Sequence, residues 1–120
     1  MASTERWRAL FAAVDAKNTR EFLSFLTPDA LFRYGSGAPA TGHDAIAAVV
    51  NGFFGSIRLS EHRIAHAWEE PGSAVCQGEV TYIRLDGRSV VLPFCNVFSL
   101  RDEKILRYEI YIDPTPLVSP

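Results

Sequence analysis

The stretch Gly87–Asp113, GRSVVLPFCNVFSLRDEKILRYEIYID, reads as two strands, Ser89–Leu100 and Lys104–Asp113, joined by the charged turn Arg101-Asp102-Glu103. β-branched and aromatic residues crowd both runs. Side chains alternate along a strand, so Leu92, Phe94, Asn96 and Phe98 share one face of the first run. Tyr108, Ile110 and Ile112 share one face of the second, with Arg107, Glu109 and Tyr111 opposite. A mainly apolar surface dotted with Asn96 and Tyr108 suits the floor of a small-molecule pocket.

Upstream of it, Arg58–Glu69 and Ala74–Leu85 read as two further strands, separated by the turn Glu70-Pro71-Gly72-Ser73. Asp86-Gly87 is a two-residue hairpin signal, which completes a four-stranded antiparallel meander. The first half of the chain is helical. Ser3-Thr4-Glu5 opens a helix whose face carries Trp7, Leu10, Phe11 and Val14. Thr19 caps a second through Phe22, Phe25 and Leu26, and Asp29–Tyr34 is a short strand. Asp44 is a candidate cap of a third helix with Ile46, Val49, Val50, Phe53 and Phe54 inward, and Gly55 as its stop. The loop GSGAPATG at Gly35–Gly42 lacks the pattern of a phosphate cradle. The tail PTPLVSP is too rich in proline for regular structure.

Helices first and sheet afterwards give an α+β fold, with three helices on one face of a curved, mainly antiparallel sheet and a cone-shaped cavity between. At 120 residues and 48% hydrophobic, the chain fits one domain, residues 1–120, with a real core. A net charge of −2 argues against nucleic acid as a partner. No apolar run is long enough to span a bilayer, and MASTERWRAL is not a signal peptide, so a cytoplasmic location is expected. Cys76 and Cys95 lack metal spacing and read as reduced thiols. No metal or other cofactor is expected.

The phrases FLTPDALFRYGSG, TGHDAI, LPFCNVFSL and ILRYEIYID, in that order of elements, resemble the nuclear transport factor 2-like superfamily over almost the whole chain. Within it the pattern is similar to SnoaL-like polyketide cyclases, ketosteroid isomerases and limonene-1,2-epoxide hydrolases, and LPFCNVF leans toward the last. That resemblance implies a cone-shaped α+β barrel with a pocket. The relatives' chemistry does not carry over residue by residue. Where the epoxide hydrolases hold their Arg, two Asp, Tyr and Asn, this chain has Glu79, Thr81, Ile110, Phe32 and Tyr34. The isomerase base and oxyanion donors fall on Tyr34, Leu10 and Asn96, of which only Asn96 can do a related job. The cyclase base falls on Ile110.

The resemblance also places Gln77, Glu79, Thr81 and Ile83 toward the cavity. Glu79, desolvated there, is the expected acid/base, with Tyr34 and Asn96 as oxygen-binding donors. Phe11, Phe32, Phe53, His66, Thr81, Phe94, Phe98, Tyr108 and Ile110 are expected to bind the substrate. Each has a plainer reading: Glu79 on the outer face or paired with an Arg, Tyr34 as rim, Asn96 and Tyr108 as satisfied core polar groups. His62 and His66 share strand parity and lie about 13 Å apart by strand rise, too far for one metal. His66 is a proton shuttle with Glu79 on one reading and a dimer-face residue on the other.

The function expected is cofactor-free acid/base chemistry on a lipophilic molecule: isomerisation, cyclisation, dehydration or hydrolysis. A ligand-binding or structural dimer of the same fold, and a peptide-binding module, are the alternatives. Val91, Pro93, Cys95 and Val97 give the outer sheet face an apolar character, and a homodimer through that face is expected.

Overall fold

The computed structural model describes residues 4–120; of the expected helix start Ser3-Thr4-Glu5, Ser3 lies outside them. Helix α1 (Thr4–Asp15) buries Trp7, Leu10, Phe11 and Ala13. It stops where Lys17 enters the left-handed region at φ +57°. The Lys17 ammonium then donates to the Ile57 carbonyl at 2.7 Å, which pins the end of the helix to the start of a strand 40 residues on. Asn18, rather than Thr19, caps α2 (Thr19–Leu23), accepting from the Glu21 amide at 3.0 Å. This helix is shorter than expected, because Leu26 already belongs to β1 (Leu26–Tyr34).

After β2 (Ala40–Thr41), α3 (His43–Ser56) turns Ile46, Val50 and Phe54 inward. Its cap position is Gly42, with no side-chain cap bond; Asp44 sits in the first turn, where its charge complements the helix dipole. Four long strands follow: β3 (Ile57–Glu70), β4 (Ser73–Arg84), β5 (Ser89–Arg101) and β6 (Lys104–Tyr111). The tail is not wholly irregular. Thr115–Val118 forms a short helix, α4, that buries Leu117, and the Arg84 guanidinium holds its end through the Ser119 carbonyl.

The six strands form one curved, unclosed sheet in the order β2-β1-β6-β5-β4-β3. All neighbours are antiparallel except β1 and β6. The helices cover its inner face. Trp7 of α1 stacks on Phe98 of β5 at 4.6 Å, and Phe22 of α2 meets Phe32 and Tyr108 edge-on or tilted at 5.9 and 5.5 Å.

Two local features decide which side chains face inward. The β4–β5 connection is a three-residue loop, Leu85-Asp86-Gly87: the Arg84 amide donates to the Arg88 carbonyl, and Gly87 takes φ +91°. Pairing is therefore centred on Asp86, and Glu79 lies opposite Pro93. A two-residue turn centred between Asp86 and Gly87 would have set Glu79 opposite Phe94. That single-residue difference flips every side chain of β4.

The second feature is a bulge at Ala65, where the register changes between Ile64↔Gly78 and His66↔Gln77. The bulged backbone comes so close to β4 that a Cβ on Gly78 would sit 1.9 Å from the Arg63 carbonyl oxygen. Only glycine fits there. Before the bulge Ser60, His62 and Ile64 face inward; after it Ala67 and Glu69 do, and His66 and Trp68 turn out.

Candidate functional site

Between the helices and the inner sheet face lies a cavity of about 110 Å³. Phe32, Phe53, Phe94, Val80 and Ile110 form much of its wall. Val49, on α3 and substantially exposed, places the mouth on the α3 side. The polar groups that reach the lining are His62, Asn96, Tyr34, Tyr82 and Tyr108; among the described residues no Lys, Arg, Asp or Glu lines it.

His62 is the most closely held of these. Its Nδ1 lies 2.6 Å from Asp15 Oδ1, and its own backbone amide donates to Asp15 Oδ2 at 2.8 Å. The Ser60 hydroxyl donates to Asp15 Oδ1 at 2.8 Å. A carboxylate accepting at Nδ1 fixes the proton on that nitrogen, so the lone pair of the neutral ring sits on Nε2. The ring is held flat by Phe11, stacked at 4.8 Å, and by Phe94, edge-on at 5.3 Å. Asp15 is the last residue of α1, and the Lys17 clamp on Ile57 brings it alongside β3. An imidazole oriented by a carboxylate and facing an apolar cavity can take up or release a proton at a bound molecule.

The tyrosines have a different capacity. The Tyr34 and Tyr82 hydroxyls lie 3.5 Å apart, with the Phe53 ring against both. Burial pushes both phenols above their ordinary range, and Tyr108 likewise. They therefore stay protonated and act as hydrogen-bond donors rather than bases. Asn96 is 2% exposed, and its Oδ1 has no hydrogen-bond partner among the described residues.

The structure brings together Tyr34, Asn96, Phe32, Phe53, Phe94, Tyr108 and Ile110 around the cavity. Phe11 and Phe98 are buried behind it, against His62 and Trp7 respectively. Five expected placements are corrected. Glu79 lies on the outer face, more than half exposed, and pairs with Arg63 at 3.2 Å. Thr81, opposite Val91, is on the same outer face, as are Gln77 opposite Cys95 and Ile83 opposite Ser89. His66 also points out and stacks on Trp68 at 5.4 Å, so it shares no space with His62. The four β4 placements follow from the three-residue loop, and that of His66 from the Ala65 bulge.

Asp15 and Ser60 were not legible as site residues. Gly78 inside a strand was the available signal for a bulge, and hence for separating the two histidines. Cys76, opposite Asn96, is buried, and burial pushes its thiol up to about 12, so it is not a nucleophile. Among the described residues no group of three or more His, Cys, Asp or Glu is placed to hold a metal ion. No helix among them is long and apolar enough to cross a membrane.

Residues 7–108 match the SnoaL-like domain family. No curated protein matches the chain by sequence. Among solved structures, it is similar to an NTF2-like protein of unknown function from Burkholderia pseudomallei, at 19% identity over all of both chains and a TM-score of 0.89. A putative polyketide cyclase from Xanthomonas campestris is 21% identical over 97% of this chain and 96% of its own, with a TM-score of 0.85. An LEH-like epoxide hydrolase from M. tuberculosis is 16% identical over 94% and 84%, with a TM-score of 0.78. At these identities the likeness establishes the fold.

Proposed function

This chain belongs to the SnoaL-like domain family, and from that membership we propose that it takes a small, uncharged, lipophilic molecule into the inner-face cavity and moves a proton on it without a cofactor. The observation that carries this reading is the Asp15–His62 pair at the cavity wall. Nε2 of the neutral imidazole removes a proton from a carbon next to a carbonyl. The resulting enolic oxygen accepts from the Tyr34 or Tyr82 hydroxyl, and His62 returns the proton at a second carbon. Asp15 keeps the tautomer fixed and stabilises the imidazolium between the two transfers. The cavity's size favours a single ring or short chain over a polycyclic substrate, since a dry cavity of about 150 Å³ holds benzene.

The test is proton–deuteron exchange at the α-carbon of single-ring unsaturated ketones in heavy water, followed by NMR. Catalysed exchange that is lost in His62→Gln supports the reading. Exchange no faster than in buffer, or unaffected by His62→Gln, removes it. The predominance of apolar lining favours a second reading, a binding protein that holds such molecules unchanged. Ligand-raised thermal stability with no exchange selects it.

The outer sheet face supports a homodimer. Trp68, Val91 and Tyr111 are each about half exposed there (55, 51 and 58%), beside Cys95 and Val97. Sedimentation at micromolar concentration giving a monomer mass contradicts it.

A further inference from the structure

The inner wall of the cavity is far less exposed than its mouth. Tyr82 and Phe94 line it at 2% and 3% exposure, whereas Val49, on the α3 side, stands at 47%. A ring that is to rest against Tyr82 therefore needs a side chain to move aside. Of the other α3 residues on the lining, Val50 and Phe54 are buried in the core. Phe53 is half-buried, with its ring against Tyr34 and Tyr82 at 5.2 and 5.6 Å. It lies in the last turn of α3, between Gly52 and Gly55. Neither glycine has left-handed backbone, and nothing lies within 4 Å of a Cβ built on either. Neither packing nor backbone geometry calls for glycine there, and alanine holds a helix more firmly. What the two glycines supply is a turn that opens easily. Its flanks are fixed: the Thr19 hydroxyl donates to the Asn51 side chain just before it, and Lys17 donates to the Ile57 carbonyl just after. Within it the Phe53 carbonyl accepts from the Ser56 hydroxyl at 2.7 Å, an exposed bond that water can replace.

We propose that Phe53 is the gate of the cavity: the turn Gly52–Ser56 loosens between its two fixed flanks and swings the Phe53 ring off Tyr34 and Tyr82 to admit a ligand. Phe53 thereby sets both the rate of entry and the size of the molecule that fits once the turn closes again. The inference rests on the cavity being a small-molecule site, but not on catalysis there. A turn that is closed with and without ligand changes how fast the two forms interconvert, and leaves the affinity as it was.

Fluorobenzene and fluoronaphthalene, a one-ring and a two-ring probe, report entry and fit through fluorine exchange NMR at neutral pH. In the double variant Gly52→Ala/Gly55→Ala, association and dissociation of fluorobenzene are expected to slow together, about fivefold or more, with Kd unchanged. Phe53→Ala is expected to speed both and to gain about tenfold or more in affinity for fluoronaphthalene. Exchange rates that are the same with and without the glycine pair overturn the proposal. So does a raised Kd with an unchanged association rate, because the turn then shapes the bound site instead of admitting the ligand. Phe53→Ala with both rates unaltered overturns it as well, since entry then runs past another side chain. If Phe53→Ala fails to fold, the alanine pair, which strengthens the helix, decides alone. Failure of fluorobenzene to bind the unmodified protein sinks both this proposal and the cavity reading; binding at rates indifferent to the turn sinks this one only.

Discussion

Asp15 and His62, 47 residues apart in the chain, meet at 2.6 Å between Oδ1 and Nδ1, and both Asp15 oxygens are occupied by donors from β3. Three hydrogen bonds from one strand to the last residue of α1 make this contact structural as well as chemical. Asp15→Asn keeps the shape but presents an N–H that can face Nδ1 and favour the other tautomer. On the proposed chemistry, kcat falls about 10²–10⁴-fold with KM little changed, by analogy with triad carboxylates. Stability falls by about 1–2 kcal/mol, as for charge-assisted bonds weakened in partly buried settings. Steady-state exchange kinetics and denaturant melts read the two effects separately.

Two glycine-to-alanine changes have opposite signs. At Gly78 the added Cβ meets backbone at 1.9 Å, and backbone cannot rotate away. Gly78→Ala costs about 3 kcal/mol, the upper part of the overpacking range. At Gly52, exposed in the middle of α3, nothing lies within 4 Å of the added Cβ. Gly52→Ala stabilises by about 0.5–1 kcal/mol through helix propensity. Urea unfolding of both variants tests the pair.

The β5–β6 turn places two non-glycine residues, Asp102 and Glu103, at φ +51° and +66°. Left-handed backbone costs L-residues about 1–2 kcal/mol each, less for Asp or Asn. Replacing the pair with Asn-Gly, the preferred sequence for such a turn, raises stability by about 1 kcal/mol. A melting temperature that does not rise would show that the turn relaxes in solution.

Stability declines in alkali, with a sign fixed by the buried acids. Cys76 ionises near 9.0 when exposed and is pushed up to about 12 by burial in the fold. The unfolded chain therefore loses its proton first, so this contribution is intact below pH 9 and erodes as pH rises toward 12. Tyr34, Tyr82 and Tyr108 are raised in the same direction. Phenolate absorbance should show these three of the four tyrosines ionising only as the protein unfolds. Cys76→Ala should flatten the start of the decline in urea midpoint with pH.

Local patterning along the chain is enough for the order of the main helices and strands, the α+β class, and the inward faces of β5 and β6, where Asn96 and Tyr108 are buried toward the helices. Period-two alternation within one strand is local, so it survives without any knowledge of the partner. What relates one strand to the next is not local. One residue more in the Leu85–Gly87 loop sent Glu79 outward, and one extra residue at Ala65 parted His62 from His66. Neither outcome is written in a single strand, because register is set by hydrogen bonding across the ladder and a slip of one inverts a whole face. The Asp15–His62 contact was hidden for the same reason. It depends on where the end of α1 docks on β3, a packing outcome that neither segment encodes alone.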